Sequence, residues 1–518
     1  MARKCSLPFL LSILVALMSG HLAAQDAKAV LQAVARNIGA DNLRCVTYSG
    51  SGWVGAVGQN FTPRDDWPRV ELSSYTKTVN FEARSAKEEQ VRRQGSYPAR
   101  GGGGVPLQGE VRQINLVSGN YAWASQGTGM TPQPAAAAQR QLDLWLTPHG
   151  FVKAALAAAN PVMLTRFEGG EGGGRGKVTV ISFTALGKYR VNGTINDQNQ
   201  IERVQTWIPN PVIGDMYYET VYSNYRDFGT VKFPTRFHHH DDLDNTSSGN
   251  PVVRGGHHGF ELTTVRDVQP NVCGEAITVP ESVQKATIPP VRVESQRLGD
   301  GLYVLGGGSH NSVAVEFRDF VAVVEAPLNE ARSIAVIAEI RKLMPNKPIS
   351  YVVNTHHHFD HSGGLRAYVH EEGSAIITYR GNRDFYGQEV FSLTNQRTLE
   401  PDRLSLYPPE EAAEGYRFEA VVQRHTLSDG TRTMDVHLIQ GLNHVEGMLI
   451  AYLPTEKIVI EADMFNASAA GAPPPPPTAA AKTFLNNVRR LKLDVSTVVP
   501  IHGPVTPWGD FLRIVDGQ

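Results

Sequence analysis

The stretch Thr355-His356-His357-His358-Phe359-Asp360-His361 constrains this chain more than any other feature. Four imidazoles and a carboxylate fall within six residues, just ahead of Ser362-Gly363-Gly364. Imidazole nitrogen and carboxylate oxygen are the donors that borderline divalent cations such as zinc prefer. The run before them, residues 349–354, reads as a short buried strand between Pro348 and the Gly pair. The donors therefore sit on a turn at the C-terminal end of a strand, where α/β sheets place their sites. At this spacing His356 and His358 can converge on one ion while Asp360 and His361 face a second. His357 holds an intervening position, points the other way and reads as a packing residue.

The pattern T-H-x-H-x-D-H followed by S-G-G resembles the metallo-β-lactamase-fold hydrolases. The resemblance implies further ligands downstream, each after a strand. His444 in Gly441-Leu442-Asn443-His444-Val445-Glu446-Gly447 fits the next one, Asp463 closing Lys457–Asp463 fits a bridging acid, and His502 in Thr497–Pro504 fits the last. Two sites are implied: His356, His358 and His444 for one ion, and Asp360, His361 and His502 for the other, with Asp463 shared. The implied cofactor is two zinc ions per chain, and the implied nucleophile is a hydroxide held between them, since cations lower the pKa of bound water. Asp360 is the implied orienting or proton-accepting group, and no Ser or Cys nucleophile is required. An Asp rather than Cys or Ser at position 463 resembles the glyoxalase II and lactonase branches. Glu325 and Pro327 depart from the Asp-x-Gly that many relatives carry after the corresponding strand.

The same domain shows an opening strand over Leu298–Leu305, a flexible turn over Gly306–Asn311 and a return strand over Ser312–Phe317. His310 on that turn is either a substrate contact or an exposed turn residue. Ala331–Met344 places Ile334, Ile337, Ile340 and Leu343 at near-helical spacing. Alternating strands and helices argue for an α/β domain, and the resemblance makes it an αβ/βα sandwich. Between Asp463 and His502 lie five consecutive prolines, Pro473–Pro477, a stiff extended segment that either overhangs the site or is a solvated spacer. A helix over Lys482–Leu493 follows, with Phe484, Leu485, Val488 and Leu491 apolar.

With 518 residues, the chain exceeds what one such domain needs. Residues 1–24 read as a signal peptide: Arg3 and Lys4 precede an apolar core from Phe9 to Met18, too short to span a membrane. Residues 25–278 read as a β-rich, mostly antiparallel accessory domain, 279–292 as a Pro-containing linker and 293–518 as the metal domain. All implied ligands lie beyond the linker, so residues from about 291 onwards are expected to fold and bind metal alone. A helix is expected over 27–38, and strands over Val70–Tyr75, Lys77–Phe81, Lys177–Phe183, Tyr189–Gly193 and Ile201–Trp207. The strand-turn-strand Tyr225–Thr235 resembles, weakly, periplasmic lipoprotein-carrier half-barrels. Beyond Cys5 in the signal region, Cys45 and Cys273 are either bridged or separately buried. His238-His239-His240-Asp241-Asp242 and His257-His258 find no partner set at ligand spacing, and read as solvated or as weak surface metal binding.

A formal net charge of −2, with 49 basic and 51 acidic residues, gives no basic stripe for nucleic acid. No segment reads as transmembrane. These observations describe an exported, periplasmic or secreted, dinuclear zinc hydrolase. Its expected substrate is a small molecule with an activated carbonyl: a lactone, thioester, ester or β-lactam. Two alternatives of other classes are iron-dependent oxygen or persulfide chemistry on the same fold, and a lipid-binding protein with a vestigial metal site.

Overall fold

The computed structural model describes residues 26–517 apart from 128, 170–174, 243–256, 393–395, 410–415 and 469–472. The expected signal peptide lies outside the described residues, as does the stretch 469–472 just ahead of the five prolines.

Helix 26–38 buries Ala27, Leu31, Val34, Ala35 and Ile38, one face at helical spacing. It packs with a 13-stranded sheet in which every neighbouring pair is antiparallel. Strands run outward in chain order from Cys45–Gly55 to one edge at Gly129–Pro132. Helices Ala137–Leu146 and Pro148–Ala157 then carry the chain to the other edge, Val162–Gly169. From there it returns strand by strand to His258–Pro270, which pairs with the first strand. The two strands expected at Val70–Tyr75 and Lys77–Phe81 are one, Arg69–Asn80, because the ladder with Cys45–Gly55 continues through Thr76. Tyr225–Thr235 is the expected strand-turn-strand, turning at Gly229 between Gly214–Phe228 and Val231–Asp242. A disulfide joins Cys45 at the start of the first strand to Cys273 just past the last, across 228 residues.

The C-terminal half is two sheets face to face with helices outside. One has seven strands, Glu294–Gly299 to Phe418–Val421, and the other six, Arg424–Ser428 to Thr506–Pro507. Period-two alternation feeds both faces of the first sheet. Ala322 and Val324 point into the sandwich, whereas Val321 and Val323 join Val336, Ile337 and Ile340 of helix Glu330–Leu343. That helix turns its Val336-Ile337-Ile340 face inward, so Ile334 and Leu343 are only half-buried. The strand expected over Leu298–Leu305 is instead a hairpin, Glu294–Gly299 and Leu302–Gly306, because Asp300-Gly301 turns the chain with Gly301 at φ +64°. Helix Ala479–Leu491 buries Phe484, Leu485 and Val488 as expected. No helix among the described residues is long and apolar enough to cross a membrane.

The two halves do not stand apart. One apolar core includes Leu31, Tyr48 and Phe151 together with Leu305, Ile337 and Tyr368. A polar clasp adds to it: Asp215 accepts from the backbone N of Thr398 (2.8 Å) and Leu399 (3.1 Å), and its own N donates to the Gln396 carbonyl (2.7 Å). Gly214 (φ +89°) is needed there, since a Cβ would lie 2.5 Å from that carbonyl oxygen. The expectation that residues from about 291 fold alone therefore meets a shared core and a shared site.

Candidate metal centre

Strand Ile349–Val353 ends in the buried run Asn354–His358, and the short helix Phe359–Ser362 carries Asp360 and His361 inward. His444 comes from the loop before strand Leu449–Leu453, Asp463 from just past strand Ile458–Glu461, and His502 from just past strand Thr497–Pro500. Every donor is thus at a strand end on one rim of the sandwich.

Asp463 is at the centre. Its Oδ2 lies 2.9 Å from His444 Nε2 and 3.6 Å from His356 Nε2. Its Oδ1 lies 2.8 Å from His502 Nε2 and 3.2 Å from His361 Nε2. One carboxylate oxygen therefore faces each histidine set. His358 Nδ1 completes the first set, 3.0 Å from His356 Nε2. Asp360 completes the second, its Oδ2 3.7 Å from His361 Nε2. The seven implied ligands thus come together as two groups, and His310 joins the second.

The outer nitrogens fix which atom of each ring faces inward. His361 Nδ1–H donates to Glu325 Oε2 at 3.0 Å, His502 Nδ1–H to the Ser309 carbonyl at 3.1 Å, and His358 Nε2–H to the Asn60 carbonyl at 3.0 Å. His356 Nδ1 meets Thr355 Oγ1 at 3.0 Å, and that hydroxyl donates onward to Glu325. Glu325, fully buried and at φ +79°, thereby orients a histidine of each set. The departure at this position is the carboxylate that fixes two ring tautomers. His357 is buried away from both sets, 3.3 Å from Asn60 Oδ1, as a packing residue.

Electrostatics fit a cation. The ion-pair partners of Asp463 among the described residues are histidines. Burial, reinforced by neighbouring imidazoles, lowers His356 to about 4 and His358 well below its usual range, so their lone pairs are free to bind. Burial opposes charge on His361 too, yet Asp463 and Glu325 on either side raise it well above the ordinary value. An imidazole between two buried carboxylates marks a place where positive charge is required, and a divalent ion bound by the inward nitrogens would supply it. The N/O donor set fits zinc. These residues fit the two ions that the sequence resemblance implies.

The N-terminal half supplies part of this site, which no local motif announces. Gln59 Nε2 donates to Asp360 Oδ1 at 2.8 Å, and Asn60 holds His358. Three backbone bonds fasten the overlying loops: Phe359 N to the Gly58 carbonyl, Glu446 N to Phe61, and Gly101 N to Asn443. His310 does not project from a flexible turn. It is 5% exposed, its Nδ1 lies 2.8 Å from Ser309 Oγ, and its Nε2 is 3.4 Å from Asp360 Oδ2. Its ring lies 4.0 Å from that of His502. Burial lowers its pKa. Prolines 475–477 line a cavity of about 150 Å³ together with Asp463, Phe465 and Ile514.

The two N-terminal histidine stretches also differ from expectation. The sheet register sets His240 opposite His258 and gathers His238 beside them.

Residues 305–502 match the model of the metallo-beta-lactamase superfamily. Over 65 residues the chain is 31% identical to a hydroxyacylglutathione hydrolase of Pelagibacter ubique (strain HTCC1062), a match covering 11% of this chain and 27% of that protein. The chain is similar in structure to a metallo-beta-lactamase from Pontibacter korlensis (15% identity, 44% of this chain, 100% of that one, TM-score 0.32). It is likewise similar to the rubredoxin oxygen:oxidoreductase of Desulfovibrio gigas (16%, 42% and 59%, TM-score 0.31). With its two facing sheets and its donors on one rim, the segment from residue 305 to 502 is a metallo-beta-lactamase superfamily domain.

Proposed function

We propose that this chain is an exported hydrolase with two zinc ions, acting on small molecules with an activated carbonyl such as lactones, thioesters, esters or, secondarily, β-lactams. The observation that carries the reading is the divided Asp463 carboxylate, one oxygen toward each histidine set. Two zinc ions held there would make hydroxide available near neutral pH and polarise the carbonyl. The chain's own residues do the rest. Asp360, oriented by Gln59 and held beside His310, accepts a proton and directs it toward the leaving group. Glu325 faces the outer nitrogen of His361 and, through Thr355, that of His356, so the inward nitrogens are the ones turned toward a metal. Cleavage adds water across the acyl bond, giving a carboxylic acid and an alcohol, a thiol or, from a β-lactam, an amine.

Export is supported by the basic-then-apolar N-terminal segment and by the Cys45–Cys273 disulfide, which suits an oxidising compartment. Stripped protein reloaded with zinc and assayed on lactone, thioester and β-lactam substrates tests the function. Turnover that returns with zinc and is absent from Asp463→Asn is expected. Tightly bound iron with oxygen or persulfide consumption, and no hydrolysis, would replace this reading with the redox one.

A further inference from the structure

Away from the superfamily site, three histidines converge on the N-terminal sheet. His238 and His240 lie two apart on strand Val231–Asp242 and so share a face. His258 opens the next strand, opposite His240. Ring centroids are 4.6 Å (His238–His240), 5.0 Å (His238–His258) and 5.0 Å (His240–His258) apart. One nitrogen of each ring lies within 4.8 Å of the other two. Zinc–nitrogen bonds of about 2.0–2.1 Å in a tetrahedral site put ligands roughly 3.3 Å apart, so small ring rotations close the set.

What stands behind the rings points the same way. His258 Nδ1–H donates to Asp66 Oδ2 at 2.8 Å, leaving Nε2 as a lone pair, and Asp66 Oδ1 also accepts from the His258 backbone N. His238 Nδ1 lies 3.4 Å from Glu261 Oε2. Glu261 is itself fixed by Trp53 Nε1 (3.1 Å) and Arg236 Nε (2.8 Å). Carboxylates behind imidazoles are the usual outer support of metal-binding histidines. His240 Nε2 is buried with no hydrogen-bond partner among the described residues. His239, on the opposite face, shows the contrast: its two nitrogens meet Thr220 Oγ1 at 2.9 Å and Asp241 Oδ1 at 2.8 Å. The side chains of His238 and His258 are 15% and 28% exposed, enough for an ion to enter.

We propose that His238, His240 and His258 form a third metal site, mononuclear, binding zinc through three imidazoles with one position open to water. The site adjoins the hydrolytic centre through one short relay. Trp67, next to Asp66, stacks on His257 (4.1 Å) and meets Phe359 edge-on (5.7 Å), between the ligands His358 and Asp360. Zinc at the third site thus holds the segment against which the main centre rests.

Metal counting on the full chain decides it. Protein stripped with a chelator and dialysed against zinc is expected to hold three ions per chain. His240→Gln and His258→Gln, on different strands, are each expected to hold two, while Asp463→Asn keeps the third. With cobalt in place of zinc, His356→Ala, which breaks the three-histidine set of the main centre, is expected to retain the visible absorption of a three-histidine site, and adding His240→Gln to His356→Ala is expected to remove it. A count that is the same in the wild type and in both variants overturns the site. If neither variant folds, the absence of that absorption in His356→Ala overturns it alone. Zinc held only at the third site would sink the hydrolase reading and leave this one standing.

Discussion

Asp463 takes a left-handed backbone conformation, φ +58°, which costs a non-glycine residue on the order of 1–3 kcal/mol. The cost is met because the turn aims both oxygens between the two histidine sets. Asp463→Asn keeps the turn and the shape but removes the charge. One zinc is expected to leave, and turnover to fall more than the Michaelis constant rises, the pattern of a lost transition-state contact. Unchanged metal content with unchanged kcat would refute the bridging role. Gln59 makes a quieter contribution, as the outer partner of Asp360. Gln59→Ala is expected to lower kcat/KM by about 10–100-fold, the usual cost of losing such a partner, with zinc still bound. His149 makes an independent pH prediction. Burial lowers it from 6.5 to about 4 in the folded chain. Between those values the unfolded chain binds a proton that the folded chain does not, so stability falls as pH drops through that window, by roughly 3 kcal/mol at most. His149→Gln is expected to flatten that acid limb in denaturant melts, and an unaltered slope would count against it. At this scale the seven residues that the structure brings together were legible, since each matches a strand-end pattern of the family the sequence resembles. Gln59 and Asn60 were not: they come from about 300 residues upstream, and an isolated Gln-Asn pair carries no chemistry of its own.

Strands place the donors, and their apolar runs made them readable. Ile349–Val353 and Leu449–Leu453 are short, β-branched or leucine-rich and bounded by turns. The structure departs from the sequence pattern where a local cue competes with it. Asp300-Gly301 broke an apolar run into a hairpin, and the ladder with the first strand joined two segments read as separate. The histidine stretches at 238–240 and 257–258 are adjacent only through sheet register, which no linear spacing encodes. The disulfide belongs to the same scale, tying the first strand of the sheet to the end of the last. Cys45→Ser is expected to cost roughly 2–5 kcal/mol, as for native disulfides generally, seen as a lower denaturation midpoint under non-reducing conditions. Equal midpoints would mean that strand pairing alone holds that central seam.

At the scale of the molecule, the linker at 279–292 is a weak guide to independence. Proline content marked a boundary in the chain, but the core and the metal centre both cross it. A fragment from residue 291 onwards is therefore expected to be poorly soluble and to bind zinc weakly, and supplying residues 25–278 in trans to restore both. A soluble, fully loaded fragment would show that the shared core is dispensable. The clasp at Asp215 predicts in the same direction: Asp215→Ala strips three acceptor contacts from Thr398 and Leu399 and should loosen the halves, detectable as faster hydrogen exchange at those two amides.

The order in which a ribosome delivers this chain gives the disulfide a further meaning. Cys273 and the last strand of the N-terminal sheet emerge before any residue of the His356–His361 turn. Gln59 and Asn60 can therefore be set in a closed scaffold before the ligands they steady exist. The first half can then serve as an internal template on which the second is cast.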